Sequence, residues 1–155
     1  MSDQTLAPDE LVYTRIFDAP RELVFRCMIE PEHLTHFWGP IGMKTPLENI
    51  KVEARPGGVF EAVMVNEGDG SQYSMQAVFL EVEEPERLVW REPSTGVTTI
   101  STFSDLGASR TEVQILFRQA DAAEPFQSPQ PDEGFQSSLD RFADYLRTLT
   151  SAAKE

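Results

Sequence analysis

One apolar stripe near the end of the chain limits the folds that this sequence can adopt. Its members recur at steps of four, three, four and three residues, the period of an α-helix with one buried face: Phe135, Leu139, Phe142, Leu146 and Leu149. Asp132, just before the stripe, can cap this helix through its side-chain oxygen. Because a helix with a single apolar face must bury that face, the rest of the chain has to supply an apolar partner.

Strands are the partner that the rest of the sequence offers. Segments rich in β-branched and aromatic residues, bounded by turn signals, are predicted as strands over 11–17, 49–53, 59–65, 72–82, 87–92, 97–103 and 111–118. Arg55-Pro56-Gly57-Gly58 is typical of the turns that separate them. Short connections of this kind favour an antiparallel meander.

Two short helices are predicted between the first two strands, over 20–29 and 31–38. Pro20 and Pro31 suit the first turn of a helix, where the missing N–H group costs nothing. The predicted fold class is therefore α+β: a curved antiparallel sheet of six to seven strands wrapped around a long C-terminal helix, with two short helices after the first strand. Residues 11–149 are predicted as one domain, with tails at 1–10 and 150–155 and a proline-containing loop over 120–131.

A cavity follows from this order of elements, because a twisted sheet and a straight helix diverge. Apolar gaps of this kind are typical small-molecule sites. The side chains expected to line the cavity are apolar or carry a hydroxyl: Phe37, Trp38, Met43, Phe60, Met64, Met75, Trp90, Thr99, Ser101, Phe103, Phe117, Phe135, Leu139 and Phe142. For any one of the aromatic residues, simple core packing is the alternative.

Strand alternation leaves open which residues face the cavity. Thr99 and Ser101 lie on one face of their strand, and they would orient a ligand through hydrogen bonds if that face points inward. Glu61 or Arg91 would supply an acid, a base or an anchor on the same condition.

The charge of the chain argues against several classes of partner. Its net charge is −13, from 26 acidic and 13 basic residues, which disfavours nucleic acids and anionic membrane surfaces. No apolar run approaches the roughly 20 residues that span a bilayer, and residues 1–10 lack a signal-peptide pattern. We expect a cytoplasmic monomer or homodimer that neither binds nucleic acid nor inserts into a membrane.

The reactive residue types predict neither a metal nor a cofactor. His33 and His36 are predicted as surface residues, because zinc needs three or four converging ligands and no third is evident nearby. Cys27, the single cysteine, lies on the apolar face of the first helix and is expected to be a buried thiol. Phosphate-binding and nucleophile-elbow motifs are absent from the sequence, so the catalytic residues, if any, stay unknown.

Four segments together resemble a known superfamily. They are RIFDAPRELVFRCMIEPEHLTHFWGP (15–40), RPGGVFE (55–61), FLEVEEPERLVW (79–90) and GFQSSLDRFADYL (134–146). They resemble START-like, or SRPBCC, proteins, and most closely the branch of heat-shock-protein ATPase activator homologues. Where most members carry two adjacent tryptophans, this chain has Phe37-Trp38, and where many have Gly-Trp it has Gly134-Phe135. The resemblance implies a helix-grip fold with an internal cavity, and it supplies no catalytic residue set.

Three functions remain open at this point. The first is a carrier or sensor that binds a hydrophobic or aromatic small molecule in the cavity. The second is a cyclase- or hydratase-type enzyme that uses the same cavity. The third, ranked last, is a module associated with a heat-shock chaperone, because activators of that ATPase carry an additional chaperone-binding domain that is not expected here.

Overall fold

The structure is a computed structural model, and it describes residues 10–39, 41–93, 96–118 and 130–153, without the side chains of residues 10, 130–135 and 151–153. The elements are β1 (Glu10–Phe17), α1 (Arg21–Cys27), α2 (Pro31–Phe37), β2 (Met43–Lys44), β3 (Ile50–Val52), β4 (Val59–Asn66), β5 (Gln72–Glu83), β6 (Arg87–Glu92), β7 (Val97–Gly107), β8 (Arg110–Arg118) and α3 (Gln130–Ala153). A 3-10 turn at Leu47–Asn49 precedes β3. The predicted α+β class is confirmed.

The strands form one antiparallel sheet in the order β1-β8-β7-β6-β5-β4-β2, with β3 also paired to β4. Strands β4 to β8 follow one another as hairpins, which confirms the predicted meander. In the described part of the chain, the sheet has eight strands rather than the predicted six to seven. The additional strand is Met43–Lys44, which pairs with Asn66 and Val65. Two residues are too few to show an alternation of apolar and polar side chains, so the sequence pattern does not predict this strand.

The long helix differs from its prediction at both ends. It begins at Gln130, so Asp132 lies inside the helix and is not its N-cap. Pro131 then occupies the first turn, where proline is well tolerated. The helix continues to Ala153, beyond Leu149, the last residue of the apolar stripe. Residues 119–129, most of the predicted loop, lie outside the described residues. The predicted domain limits at 11 and 149 stay a prediction.

The helices pack on one face of the sheet, which we call the inward face. Arg15 of β1 donates from Nη2 to Asp140 Oδ1 of α3 at 2.8 Å. Phe17, two residues further along β1, lies 4.9 Å from Phe142 of α3, measured between ring centroids. The inward face carries the core, whose largest buried side chains include Phe25, Phe60, Phe79, Leu34, Leu88 and Leu146. Within the described parts of the chain, no helix combines the length and the apolar character needed to cross a bilayer.

The Gly57-Gly58 turn is fastened to the sheet. The Gly57 N–H donates to the Phe79 carbonyl at 2.8 Å, and the Phe79 N–H donates to the Gly58 carbonyl at 2.9 Å. A Cβ atom at Gly58 would lie 2.0 Å from the carbonyl oxygen of Glu53, so only glycine fits there. Strand β5 carries a register shift between Phe79 and Glu81, next to this turn. A bulge of this type bends a strand and increases its twist.

Candidate ligand-binding site

Pairing across three central strands places predicted site residues side by side on the inward face. Trp90 of β6 lies opposite Thr99 of β7, and Thr99 lies opposite Phe117 of β8. Ser101 lies opposite Leu88 and Ile115. Alternate residues of a strand share a face, so Thr99 and Ser101 lie on the same face of β7. That face points inward, and both residues are buried.

Four rings on this face form a compact group, which we call the aromatic cluster: Trp38, Phe60, Phe79 and Trp90. Trp90 meets Phe60 edge to face at a centroid distance of 4.9 Å, and it meets Phe79 in the same way at 6.1 Å. Trp38, at the C-terminal end of α2, lies 5.1 Å from Phe60 and 6.4 Å from Trp90. Edge-to-face packing of this kind is favourable beyond the area that it buries.

Sequence reasoning missed one member of this cluster. Phe79 is fully buried and lies opposite Trp90, yet it was not among the predicted site residues. The sequence does contain a signal for it, because Met75, Ala77 and Phe79 alternate along one strand face and Met75 is among the predicted site residues.

Three other predicted site residues belong to two separate ring pairs elsewhere. Phe37 of α2 stacks on Phe142 of α3 at 4.2 Å, and Phe103 of β7 meets Phe25 of α1 at 5.2 Å. These rings join the helices to the sheet at the end where α1 and α2 lie. Within the described part of the chain, their ring contacts are with Phe17, Phe25 and Tyr145 or with each other and not with the aromatic cluster, which favours the core-packing alternative for them.

The other predicted site residues whose side chains are described are buried or half-buried. Met64 of β4 and Met75 of β5 are half-buried and share the face of Phe60 and Ala77. Phe117 is half-buried and packs edge to face against Tyr13 at 5.8 Å. Met43 of β2 and Leu139 of α3 are buried. The side chain of Phe135 lies outside the described residues, and its role as a site residue stays a prediction.

The segment between α2 and β2 is tied to α3 by hydrogen bonds. Arg141 donates from Nη1 to the carbonyl oxygens of Gly39 at 2.8 Å and Met43 at 3.0 Å. The Ile41 N–H donates to Ser137 Oγ at 3.1 Å. Gly39 has a φ of +101°, and a Cβ there would lie 2.8 Å from Met64 Sδ. This segment therefore connects α3 to the part of the inward face where Met64 lies.

An ionisable side chain on the inward face was not anticipated. Glu92 lies two residues after Trp90 in β6 and therefore shares its face. Burial raises the pKa of the Glu92 carboxyl above its ordinary value. The two residues proposed for this role, Glu61 and Arg91, lie next to inward-facing residues in their strands and thus point to the opposite face. Alternation identifies partners on one face, but only packing against the helices decides which face is inward.

The histidines and the cysteine lie at α1 and α2. His33 is half-buried rather than a surface residue, because its Nδ1 is hydrogen bonded to Tyr145 Oη of α3 at 2.6 Å. His36 is exposed, and its ring stacks on Tyr145 at 4.8 Å. Cys27 is buried as expected, and burial, helped by the charge of Glu30, raises the pKa of its thiol to about 12. Among the residues that the structure describes, no three His, Cys, Asp or Glu side chains converge to hold a metal.

Comparison with known proteins identifies the family. The model of the family described as Activator of Hsp90 ATPase homolog 1-like protein matches residues 18–147. Among curated proteins, none matches the sequence.

Solved structures share the fold at low sequence identity. A protein of Nitrosomonas europaea is 21% identical, with a TM-score of 0.77 over 95% of this chain and 99% of that one. A protein of Rhodobacter sphaeroides is 18% identical, with a TM-score of 0.79 over 94% and 97%. An AHSA1-like protein of Aeromonas hydrophila is 22% identical, with a TM-score of 0.77 over 91% and 94%. With most of its length matched by the family model, the chain belongs to the Activator of Hsp90 ATPase homolog 1-like family.

Proposed function

We propose that this protein binds a hydrophobic or aromatic small molecule between the inward face of the sheet and α3, as a carrier or sensor. The observation that supports this most is a gradient of burial along the inward face. Near α1 the apolar side chains of this face, such as Phe103 and Val113, are buried. Toward the β4–β5 hairpin, Met64 and Met75 of this face stay half-buried, as does Trp38 at the end of α2.

Partly exposed apolar side chains on an inward face favour an apolar occupant. A ligand that removes about 200 Å² of apolar surface from water gains about 5 kcal/mol before the cost of association is subtracted. Methionine side chains adapt to ligands of different shape, and Met64 and Met75 lie on the same sheet face as Phe60 and Phe79. The net charge of −13 favours neutral ligands over anionic ones.

A pair of matched variants tests where a ligand binds. Met75→Glu places a charge on the inward face of β5, whereas Ser74→Glu places the same charge on the exposed outer face of that strand. We expect neutral aromatic compounds to bind the wild-type protein in native mass spectrometry and to raise its melting temperature. Met75→Glu should weaken this binding at least about tenfold and Ser74→Glu should leave it unchanged. Equal effects of both variants, or no binding across a library of neutral aromatic and aliphatic compounds, would refute the proposal.

An enzyme that moves protons is the second candidate, and Glu92 is the observation that favours it. A carboxyl with a raised pKa next to an apolar binding face is a typical general acid. The test is to incubate protein with its recovered ligand and to search for a converted product by mass spectrometry. Loss of conversion in Glu92→Gln with retained binding would support catalysis, and an unchanged ligand in the wild-type protein would contradict it.

A further inference from the structure

Two polar atoms on the inward face lack a hydrogen-bond partner. They are Trp90 Nε1 and Ser101 Oγ, and neither is bonded to any described residue. Trp90 is 3% exposed and Ser101 is 0% exposed. Burial of a polar group without a partner costs free energy, so such groups are uncommon in folded proteins.

These two residues are neighbours on the same face. Trp90 of β6 lies opposite Thr99 and Ser101 of β7 lies opposite Leu88, which makes Trp90 and Ser101 a diagonal pair across adjacent strands. Diagonal pairs are within reach of long side chains such as tryptophan. The pair also adjoins the aromatic cluster, because Trp90 belongs to it.

Two other buried hydroxyls of the described residues do have partners. Thr45 Oγ1 donates to the Trp38 carbonyl at 2.9 Å, and Thr111 Oγ1 donates to the Ala19 carbonyl at 2.7 Å. A third buried atom without a partner, Arg21 Nε, belongs to a guanidinium that donates from Nη1 to the Phe103 carbonyl at 3.4 Å. Of these three atoms without a partner among the described residues, the two of Trp90 and Ser101 lie on the sheet face proposed to hold the ligand, beside the buried Thr99.

We infer that Trp90 Nε1 and Ser101 Oγ form a polar subsite for the oxygen acceptor of a neutral, otherwise apolar ligand, such as a cyclic ketone, ester or quinone. This inference rests on the proposed function. An indole N–H is a donor only, and a serine hydroxyl can donate as well, so two donors are available to one carbonyl oxygen with two lone pairs. A carboxylate ligand is disfavoured, because Glu92 lies on the same face and the net charge is −13.

Access to the subsite requires a neighbouring side chain to move, since both atoms are shielded from solvent. Trp38 is the neighbour that we expect to rotate. It is half-buried, it contacts Trp90 at a centroid distance of 6.4 Å, and it lies at the end of α2 rather than within a strand.

Matched probes with and without the acceptor test the inference. Fluorenone and fluorene differ by one carbonyl at nearly constant shape, and indanone and indane form a smaller pair. Binding is followed with the isotope-labelled full chain by the indole N–H signals of its 2 tryptophans, which Trp38→Phe assigns. We expect the ketones to bind about fivefold or more tightly than the hydrocarbons and to shift the Trp90 indole signal.

Variants then assign the preference to the two side chains. Ser101→Ala and Trp90→Phe should each lower the ratio of ketone to hydrocarbon affinity, whereas Ser104→Ala, which removes an exposed hydroxyl from the outer face of β7, should preserve it. Equal affinities for ketone and hydrocarbon in the wild-type protein, with an unmoved Trp90 signal, would overturn the inference and leave the proposed function intact. Binding of none of the four probes would overturn both.

Discussion

Phe37 of α2 and Phe142 of α3 stack almost parallel, with ring centroids 4.2 Å apart and ring planes 18° apart. Phe17 of β1 packs on the same Phe142 ring, at 4.9 Å. One side chain of the long helix therefore joins a short helix and an edge strand. Phe142, one member of the apolar stripe that predicts α3, thus forms a junction between α2 and β1.

Removal of the Phe142 ring should destabilise the fold substantially. We expect Phe142→Ala to lower the free energy of unfolding by about 3–5 kcal/mol, because it deletes a buried ring and leaves a cavity. Asp144→Ala, at an exposed position of the same helix, is the control and should change it by less than about 0.5 kcal/mol. Urea unfolding measures both, and a similar cost for the two variants would contradict the packing described.

Alanine should not be tolerated at Gly58. Its Cβ would lie 2.0 Å from the Glu53 carbonyl oxygen, which belongs to the backbone and can move only if the turn is rebuilt. We expect Gly58→Ala to cost more than about 2 kcal/mol in thermal or urea unfolding. Gly68→Ala is the matched control, since its Cβ would approach only the side-chain oxygen of Asn66, at 3.2 Å. Equal stability of the two variants would contradict the close approach at Gly58.

The β7–β8 hairpin turns through two residues that carry a side chain in the left-handed region, Ala108 at φ 56° and Ser109 at φ 58°. Asparagine and glycine suit such a turn better than alanine and serine do. We expect the double variant Ala108→Asn, Ser109→Gly to stabilise the protein by about 1 kcal/mol in urea unfolding. Ala108→Val should have the opposite sign, and a stabilising valine would contradict the left-handed conformation.

Cys27 should resist modification in the folded protein. Burial raises the pKa of its thiol to about 12, so the reactive thiolate is scarce at neutral pH. The assay is thiol titration with an aromatic disulfide that releases a yellow thiolate. We expect one thiol per chain to react in denaturant and almost none to react under native conditions. Because this is the only cysteine, the yield reports on Cys27 alone. Rapid native modification would show that the α1 face opens to solvent.

Glu92 should make stability depend on pH. Burial raises its pKa in the folded state, so between the ordinary glutamate pKa of about 4.3 and the raised value the folded chain binds more protons than the unfolded chain. The contribution of this group to stability is therefore present in acid and is lost as pH rises through that interval.

Replacement of the Glu92 carboxyl by a neutral amide tests this pH dependence. Glu92→Gln should raise the free energy of unfolding relative to wild type at about pH 7 and change it little at about pH 4. Glu67→Gln, at an exposed position in the β4–β5 turn, controls for the loss of one negative charge. The same Glu92→Gln effect at both pH values would contradict the buried carboxyl.

Much of the architecture is readable from the sequence, and the exceptions have physical reasons. Strand β6 is found at its predicted limits, 87–92. These limits are predictable because Pro85 and Pro93 interrupt the strand pattern on either side. The two-residue strand Met43–Lys44 carries no period and exists only through its pairing with β4. The start of α3 was misplaced because Asp132 offered a cap that the helix does not use.

The candidate site is less predictable than the fold. Alternation groups Thr99 with Ser101, yet the choice between the two faces of the sheet depends on where the helices pack. Because the inward face is not known from the sequence, Glu61 and Arg91 were predicted as inward-facing ionisable residues and Glu92 was not. Whether a buried polar atom finds a partner, as Thr45 Oγ1 does and Ser101 Oγ does not, depends on contacts between distant segments.

The pairing of β1 with β8 has a consequence for how the protein is made. Residue 10 pairs with residue 118, and α3 follows only after that strand. A ribosome synthesises roughly 5–20 residues per second, so α3 is complete only several seconds after the strands that it covers. During synthesis the apolar rings of β4 to β7 are therefore without their final cover. Until its last helix emerges, a chain with this topology therefore exposes an apolar surface that the folded protein covers.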